Sequence, residues 1–215
     1  MRNTRFIGEA DRSGFVRSDA ALDWSDEHRG TMTLLKSVRH FIGYHRILLS
    51  GAVVAVLCLF AAPTLPSILA GIPIILSGEG VRIWSSGCLT KNRALSRSGP
   101  YALIRHPLYL GNFLIAIGFS VTSGRAALVL LIAAAYGTIY YATIEEEEKA
   151  LRERFGEEFE EYAGQVPRLI PLRVPFPRRG AGFRWTRVRD HREYKTWVAI
   201  GVLLAFMVFK SYYAA

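Results

Sequence analysis

The chain has 215 residues, 51% of them hydrophobic, and a formal net charge of +9. A basic soluble domain of this size would suggest a nucleic-acid partner, but here the apolar residues are gathered into blocks and the cations lie between them, so the charge needs no such partner. The two cysteines, Cys58 and Cys88, and the five scattered histidines have neither metal-ligand nor disulfide-framework spacing, so no metal site is expected.

In chain order, residues 1–43 read as a polar N-terminal segment on the cytoplasmic side. It lacks the apolar core of a cleaved signal peptide. Residues 31–46 (TMTLLKSVRHFIGYHR) suit an interfacial helix leading into the membrane. No Lys, Arg, Asp or Glu then occurs from Ile47 to Gly78, from His106 to Gly124, from Ala126 to Ile144, or from Thr196 to Phe209. A spanning helix takes about 20 mostly apolar residues. The first block is too long for one span and turns at Pro63 and Pro66, giving spans at roughly 45–62 and 67–86. The others give spans at roughly 107–122, 126–145 and 196–213, the last with Lys210 snorkelling to the interface. One such block would equally fit a buried helix of a soluble protein. Four blocks joined in part by tight Pro/Gly turns predict an all-α polytopic membrane bundle of about five transmembrane helices.

Residues 44–172 thus form a membrane core of four spans and a cytoplasmic helix. Residues 173–215 form a basic, Pro-rich linker and a C-terminal transmembrane helix. Lys and Arg crowd the N-terminal segment, the loop from Arg82 to Arg105 and the stretch from Lys149 to Lys195, while the opposing turns are nearly bare. The positive-inside rule places these three segments in the cytoplasm.

Two stretches carry chemistry. In GPYALIRHPLYLGNFL, from Gly99 to Leu114, Pro107 suits the first position of a helix, so the third span starts at Arg105-His106-Pro107. The backbone N–H groups of such a start, with Arg105, suit a carboxylate or phosphate, and Tyr101 and Tyr109 flank the step as aromatic walls. Arg and Tyr at a membrane edge equally suit a plain interfacial anchor. The second stretch is Glu145 to Glu148, directly after a charge-free span. At about 100° per residue, four consecutive side chains sweep most of the helix circumference, so at least one points into the bundle. A carboxylate there implies a function or a paired cation, and a sulfonium or ammonium group is a fitting partner. The helix continues through EEEEKALRERFGEEFEEY, with Ala150, Leu151, Phe155, Phe159 and Tyr162 at helical spacing. Glu79 and Arg82, three residues apart on the second span, read as an internal pair supporting the bundle.

SGPYALIRHPLYLG followed by EEEEKALRERFGEEFEEYAGQVPRLIP resembles the isoprenylcysteine carboxyl methyltransferases and the wider group of phospholipid and thiol methyltransferases. The resemblance covers about Arg93 to Pro171. It implies an integral membrane enzyme that takes S-adenosylmethionine from the cytoplasm and a lipophilic methyl acceptor from the bilayer. It also implies a cofactor pocket formed by Arg93, Ala94, Leu95, Ser96, Tyr101, Arg105, His106, Pro107, Leu108, Tyr109, Glu147 and Glu148, with Arg105, His106 and Glu147 nearest the chemistry and Glu147 the foremost single residue. The family's carboxyl methyltransferases carry an arginine shortly before the glutamates, where this chain has Tyr140-Tyr141-Ala142-Thr143-Ile144. The acceptor is accordingly open among a prenylcysteine carboxylate, a lipid amine and a thiol. The alternatives are an NADPH-dependent enzyme like the membrane sterol reductases, which share an Arg-His-Pro-like motif, and a non-enzymatic membrane protein.

Overall fold

A computed structural model describes residues 48–90, 94–171 and 182–213, all within the larger of the chain's two units, Arg39–Ala215. The expected interfacial helix at 31–46 and the Pro-rich stretch 172–181 lie outside the described residues, as does Arg93. The described residues are helical and contain no strand. The helices are α1 (Leu48–Phe60), α2 (Leu65–Cys88), α3 (Pro107–Thr122), α4 (Ala126–Phe155), α5 (Glu157–Gln165), α6 (Trp185–Asp190) and α7 (Tyr194–Tyr213), with a 3-10 turn at Gly99–Ala102. The five apolar helices fall where the charge-free blocks place them. Three of them, α2, α4 and α7, are long and apolar enough to cross a membrane. α3 has 16 residues, or about 24 Å at 1.5 Å per residue, short of a hydrocarbon core of about 30 Å.

Local chemistry sets the helix ends. Thr64 caps α2 reciprocally with Ser67: Ser67 N donates to Thr64 Oγ1 at 3.3 Å and Thr64 N donates to Ser67 Oγ at 2.9 Å. Pro107 starts α3. α4 runs on past its apolar part to Phe155, carrying Glu145 to Glu148 out of the bundle as one continuous helix. The helical pattern does not continue unbroken to Tyr162, because Gly156, at φ 52°, stops α4 and redirects the chain into α5. Ala150, expected on the apolar face, is exposed, whereas Phe159 and Tyr162 are buried. The helix α6 has no counterpart in the sequence-based reading.

The bundle closes through small residues. A Cβ on Gly78 would lie 2.7 Å from Gly111 O, and one on Gly111 would lie 2.8 Å from Gly78 O. The Gly71–Gly118 approach repeats this contact one step away in the opposite chain direction, so α2 and α3 run antiparallel with backbones in contact. Ala62 N donates to Ser123 O at 2.8 Å, which ties the α1–α2 turn to the α3–α4 turn. The core between them includes Leu57, Ile75, Phe119, Ile132 and, from α7, Met207. Lys210 does not simply reach outward: its Nζ donates to Cys58 O at 2.8 Å and Leu59 O at 3.0 Å, satisfying carbonyls in the last turn of α1.

Candidate functional site

At the end of the bundle away from these turns, α5 holds the loop 94–106 in place. Tyr162 donates its hydroxyl to Tyr101 O at 2.7 Å, and Arg97 pairs with Glu158 at 2.9 Å. Arg105 N donates to Pro167 O at 2.8 Å and His106 N to Arg168 O at 3.1 Å. Phe159, Tyr162 and Val166 bury the amphipathic face of α5 against Ala102. Burial pushes both the Tyr101 and Tyr162 phenols well above their ordinary range, so both stay neutral.

This loop presents Arg105 and His106 to α4, where Glu148 receives them. The Glu148 side chain is 2% exposed and accepts from Arg105 at 2.9 Å and from Arg168 at 2.9 Å. His106 Nε2 lies 3.1 Å from Glu148 Oε1 and, facing a carboxylate oxygen, donates to it. The hydrogen bond to Glu148 holds the Arg168 guanidinium above its ordinary pKa. Burial pulls Arg105 below its own, against the opposing Glu148 charge. Glu148 is therefore the glutamate that turns inward, and it joins three elements: α4, the Arg-His-Pro step and the segment after α5. Arg168 had no assigned role in the sequence. Its signal was only its place in the VPRLIP stretch after the helix.

Two cavities adjoin this clamp, and a third joins the larger of them. The largest, about 500 Å³, is lined by Tyr101, Arg105, His106, Pro107, Leu108 and Tyr109, and by Glu147, whose side chain is half exposed. A second, about 270 Å³, shares Leu89, Tyr101, Arg105, His106 and Glu147 with the first and adds Ala94, Leu95 and Ser96 over an apolar floor of Leu151, Phe155 and Phe159. All the described residues that the resemblance assigns to the pocket thus border these two cavities, except Glu148, which lies behind the wall and holds it. Glu147 Oε2 lies 3.8 Å from His106 Nδ1. The helix start offers fewer free donors than its sequence suggests: Pro107 has none, and Tyr109 N and Leu110 N both donate back to His106 O.

The third cavity, about 320 Å³, runs between the apolar helices past Val53, Leu57, Phe119, Ile132 and Leu203. It shares Ser50, Arg82, Asn112 and Tyr140 with the largest. A file of rings, His106, Tyr109, Tyr140 and Tyr136, leads from one to the other at centroid spacings of 5.8, 5.1 and 5.3 Å. The Glu79–Arg82 pair is present at 3.6 Å but belongs to a larger network. Arg82 also donates to Asn112, to Glu193 at 2.6 Å and to Thr196 at 3.0 Å, and Ser86 donates to Glu193 at 2.7 Å. Arg82, Asn112, Tyr140 and Glu193 line the cavities, although the sequence assigned none of them to a pocket. Arg82, on α2, and Tyr140, on the approach to the glutamates, line the same two cavities.

Residues 79–153 match the family model described as the isoprenylcysteine carboxyl methyltransferase (ICMT) family. The chain is 37% identical over 92 residues to the cobalt-zinc-cadmium resistance protein CzcN of Cupriavidus metallidurans, covering 42% of each chain. It is 29% identical over 143 residues to the nickel-cobalt-cadmium resistance protein NccN of Alcaligenes xylosoxydans xylosoxydans, covering 62% of this chain and 65% of that protein. It is 35% identical over 82 residues to the protein-S-isoprenylcysteine O-methyltransferase of Schizosaccharomyces pombe, covering 38% of this chain and 35% of the relative. The matches therefore span less than two thirds of the length of each of these relatives. No solved structure matches the chain.

Proposed function

We propose that this chain, whose residues 79–153 match the isoprenylcysteine carboxyl methyltransferase family model, is a multi-pass membrane methyltransferase that uses S-adenosylmethionine on a lipophilic acceptor. The observation that carries this reading is the continuity of the largest cavity. One wall is polar, with Arg105, His106 and Glu147, and the far side opens into an apolar cavity between the helices. A polar, charged cofactor and an apolar acceptor thereby meet without either crossing the wrong medium.

The residues present fit the cofactor. Glu147 offers a carboxylate to its cationic groups, and Arg105 lines the same space. Leu95, Leu151 and Phe155 give an apolar bed for its adenine ring. Bound there, S-adenosylmethionine supplies an activated methyl group on a sulfonium. The protein's part is placement: Glu148 fixes Arg105 and His106, and the ring file sets the direction of approach. Holding both reactants in one dry cavity replaces an encounter in solution. With the positive-inside orientation, this wall faces the cytoplasm.

Titration calorimetry on protein in detergent checks this reading. The wild type is expected to take up S-adenosylmethionine and not NADPH. Glu147→Gln and Arg105→Ala are expected to weaken that uptake by about tenfold or more, the loss of one charge-assisted hydrogen bond. NADPH uptake would favour the reductase-like alternative. Uptake of neither, or full S-adenosylmethionine affinity in both folded variants, would refute the reading or the site.

A further inference from the structure

Beside the junction of the two large cavities, Arg82 is the one cation among the described residues that pairs with both Glu79 and Glu193, and Glu79 also accepts from Trp197 Nε1 at 2.6 Å. Glu79 Oε2 and Arg82 Nε are buried and have no hydrogen-bond partner among the described residues. Glu193 is 5% exposed, yet it lines the largest cavity. Its position is built rather than incidental. Arg192, at φ 57°, is the one non-glycine residue in the left-handed region among the described residues. That conformation is costly for an L-residue, and it turns the chain between α6 and α7 just before Glu193. The carboxylate then bonds Arg82 and Ser86 on α2. The charged and titratable groups facing it are Arg82 and Glu79 from α2 and Tyr101 from the loop across the cavity.

An acceptor whose reactive group is itself a carboxylate would have to sit beside the Glu193 carboxylate that lines this junction. An acceptor that must shed a proton finds there a carboxylate to take it, and a thiolate so formed finds a guanidinium to stabilise it. Resting on the methyltransferase reading above, we propose that Glu193 is the proton acceptor of the reaction, and that the substrate is an apolar molecule bearing a protic nucleophile, a thiol or an amine, rather than a carboxylate. The acceptor's S–H bond, or one N–H bond of its ammonium form, breaks and the proton passes to a Glu193 oxygen. The acceptor's electron pair forms the new bond to the methyl carbon. The pair of the cleaved carbon–sulfur bond returns to the donor's sulfur, which changes from sulfonium to thioether. The apolar tail lies in the cavity bordered by Val53, Leu57, Phe119 and Ile132. His106, the other candidate base bordering the cavity, has Nε2 committed to Glu148 and Nδ1 turned toward Glu147. Glu193 lies outside the residues matched by the family model, on the segment leading into the last helix.

The test combines an acceptor panel with one variant. Purified wild type in detergent receives labelled S-adenosylmethionine with 1-octanethiol, octylamine, octanoate or N-acetyl-S-farnesylcysteine. Methylation of the thiol or the amine at least tenfold faster than of either carboxylate is expected, and the two protic arms separate thiol from amine. Glu193→Gln should lower kcat/KM for the preferred acceptor by about 100-fold near neutral pH, the usual worth of a general base, with donor affinity unchanged by calorimetry. Its rate should climb with pH between 6.5 and 8.5 more steeply than that of the wild type, as solvent removes the proton instead. A merely structural Glu193 would lower the rate without changing the shape of that profile, and this result would overturn the proposal. So would carboxylate methylation matching the thiol and amine, a result that needs no variant to fold. Wild type that takes up no S-adenosylmethionine overturns the methyltransferase reading and this inference with it. Uptake with a carboxylate preference overturns the inference alone.

Discussion

Replacing Glu148 by glutamine removes one charge from the most heavily bonded acidic side chain in the described structure. Glu148 accepts from Arg105 at 2.9 Å, from Arg168 at 2.9 and 3.1 Å, and from His106 at 3.1 Å. The two arginines do not count equally. The Arg168 side chain is 44% exposed, so its pairing is screened and contributes at most about 1 kcal/mol. The Arg105 side chain is 11% exposed, and without Glu148 its charge is stranded near the bundle. Breaking a buried pair from one side costs about 3–5 kcal/mol. Glutamine keeps the shape and one acceptor oxygen but turns an amide N–H₂ toward cationic donors, so no rescue by packing is expected. At about 2–4 °C per kcal/mol for a chain of this size, the melting midpoint in detergent should fall by roughly 6–20 °C. Amide hydrogen exchange should rise first in residues 94–106 and 157–166, which the clamp holds against α4. Glu147→Gln, one residue away and half exposed, should leave the midpoint within about 0.5 kcal/mol of wild type. Equal melting of Glu148→Gln and wild type would refute the clamp. So would equal loss in the two variants, because the distinction between a wall residue and the one behind it would vanish.

Other perturbations follow from single contacts. Gly78→Ala should destabilise by about 1–3 kcal/mol, because its Cβ would meet Gly111 O at 2.7 Å and the helix backbones must separate. Gly80→Ala, two residues on with nothing within 4 Å, should be neutral or slightly stabilising in the same melt. Arg192→Gly relieves a left-handed backbone at an exposed position and should raise stability by up to about 1 kcal/mol in thermal unfolding. Tyr162→Phe loses the bond to Tyr101 O inside the buried α5 contact. A loss of about 1–2 kcal/mol is expected, with faster exchange around Gly99–Ala102.

The positions of the helices were legible because each rests on a local property. Charge-free blocks mark apolar helices, Pro63 and Pro66 mark a turn, and Pro107 marks a start, since a missing N–H costs nothing there. Arg105, His106 and Glu147 were legible for a similar reason: two short motifs, 42 residues apart at His106 and Glu148, carry the charged groups on either side of an apolar helix pair. Asn112 and Glu193 were not, and Arg82 was legible only as the partner of Glu79. Glu193 sits in a charged run, HREYK, that reads as a solvated loop, and its partner Arg82 is 111 residues away. Only the fold of α7 against α2 brings them together. The sequence also required one of four consecutive glutamates to turn inward without saying which. The apolar part of α4 is hydrophobic on every side, so its composition has no phase, and a helix without a phase cannot announce its buried face. Packing supplied it: Ile132, Ile139 and Ala142 lie in the bundle, and that rotation, carried along a continuous helix, buries Glu148 and leaves Glu147 on the cavity wall.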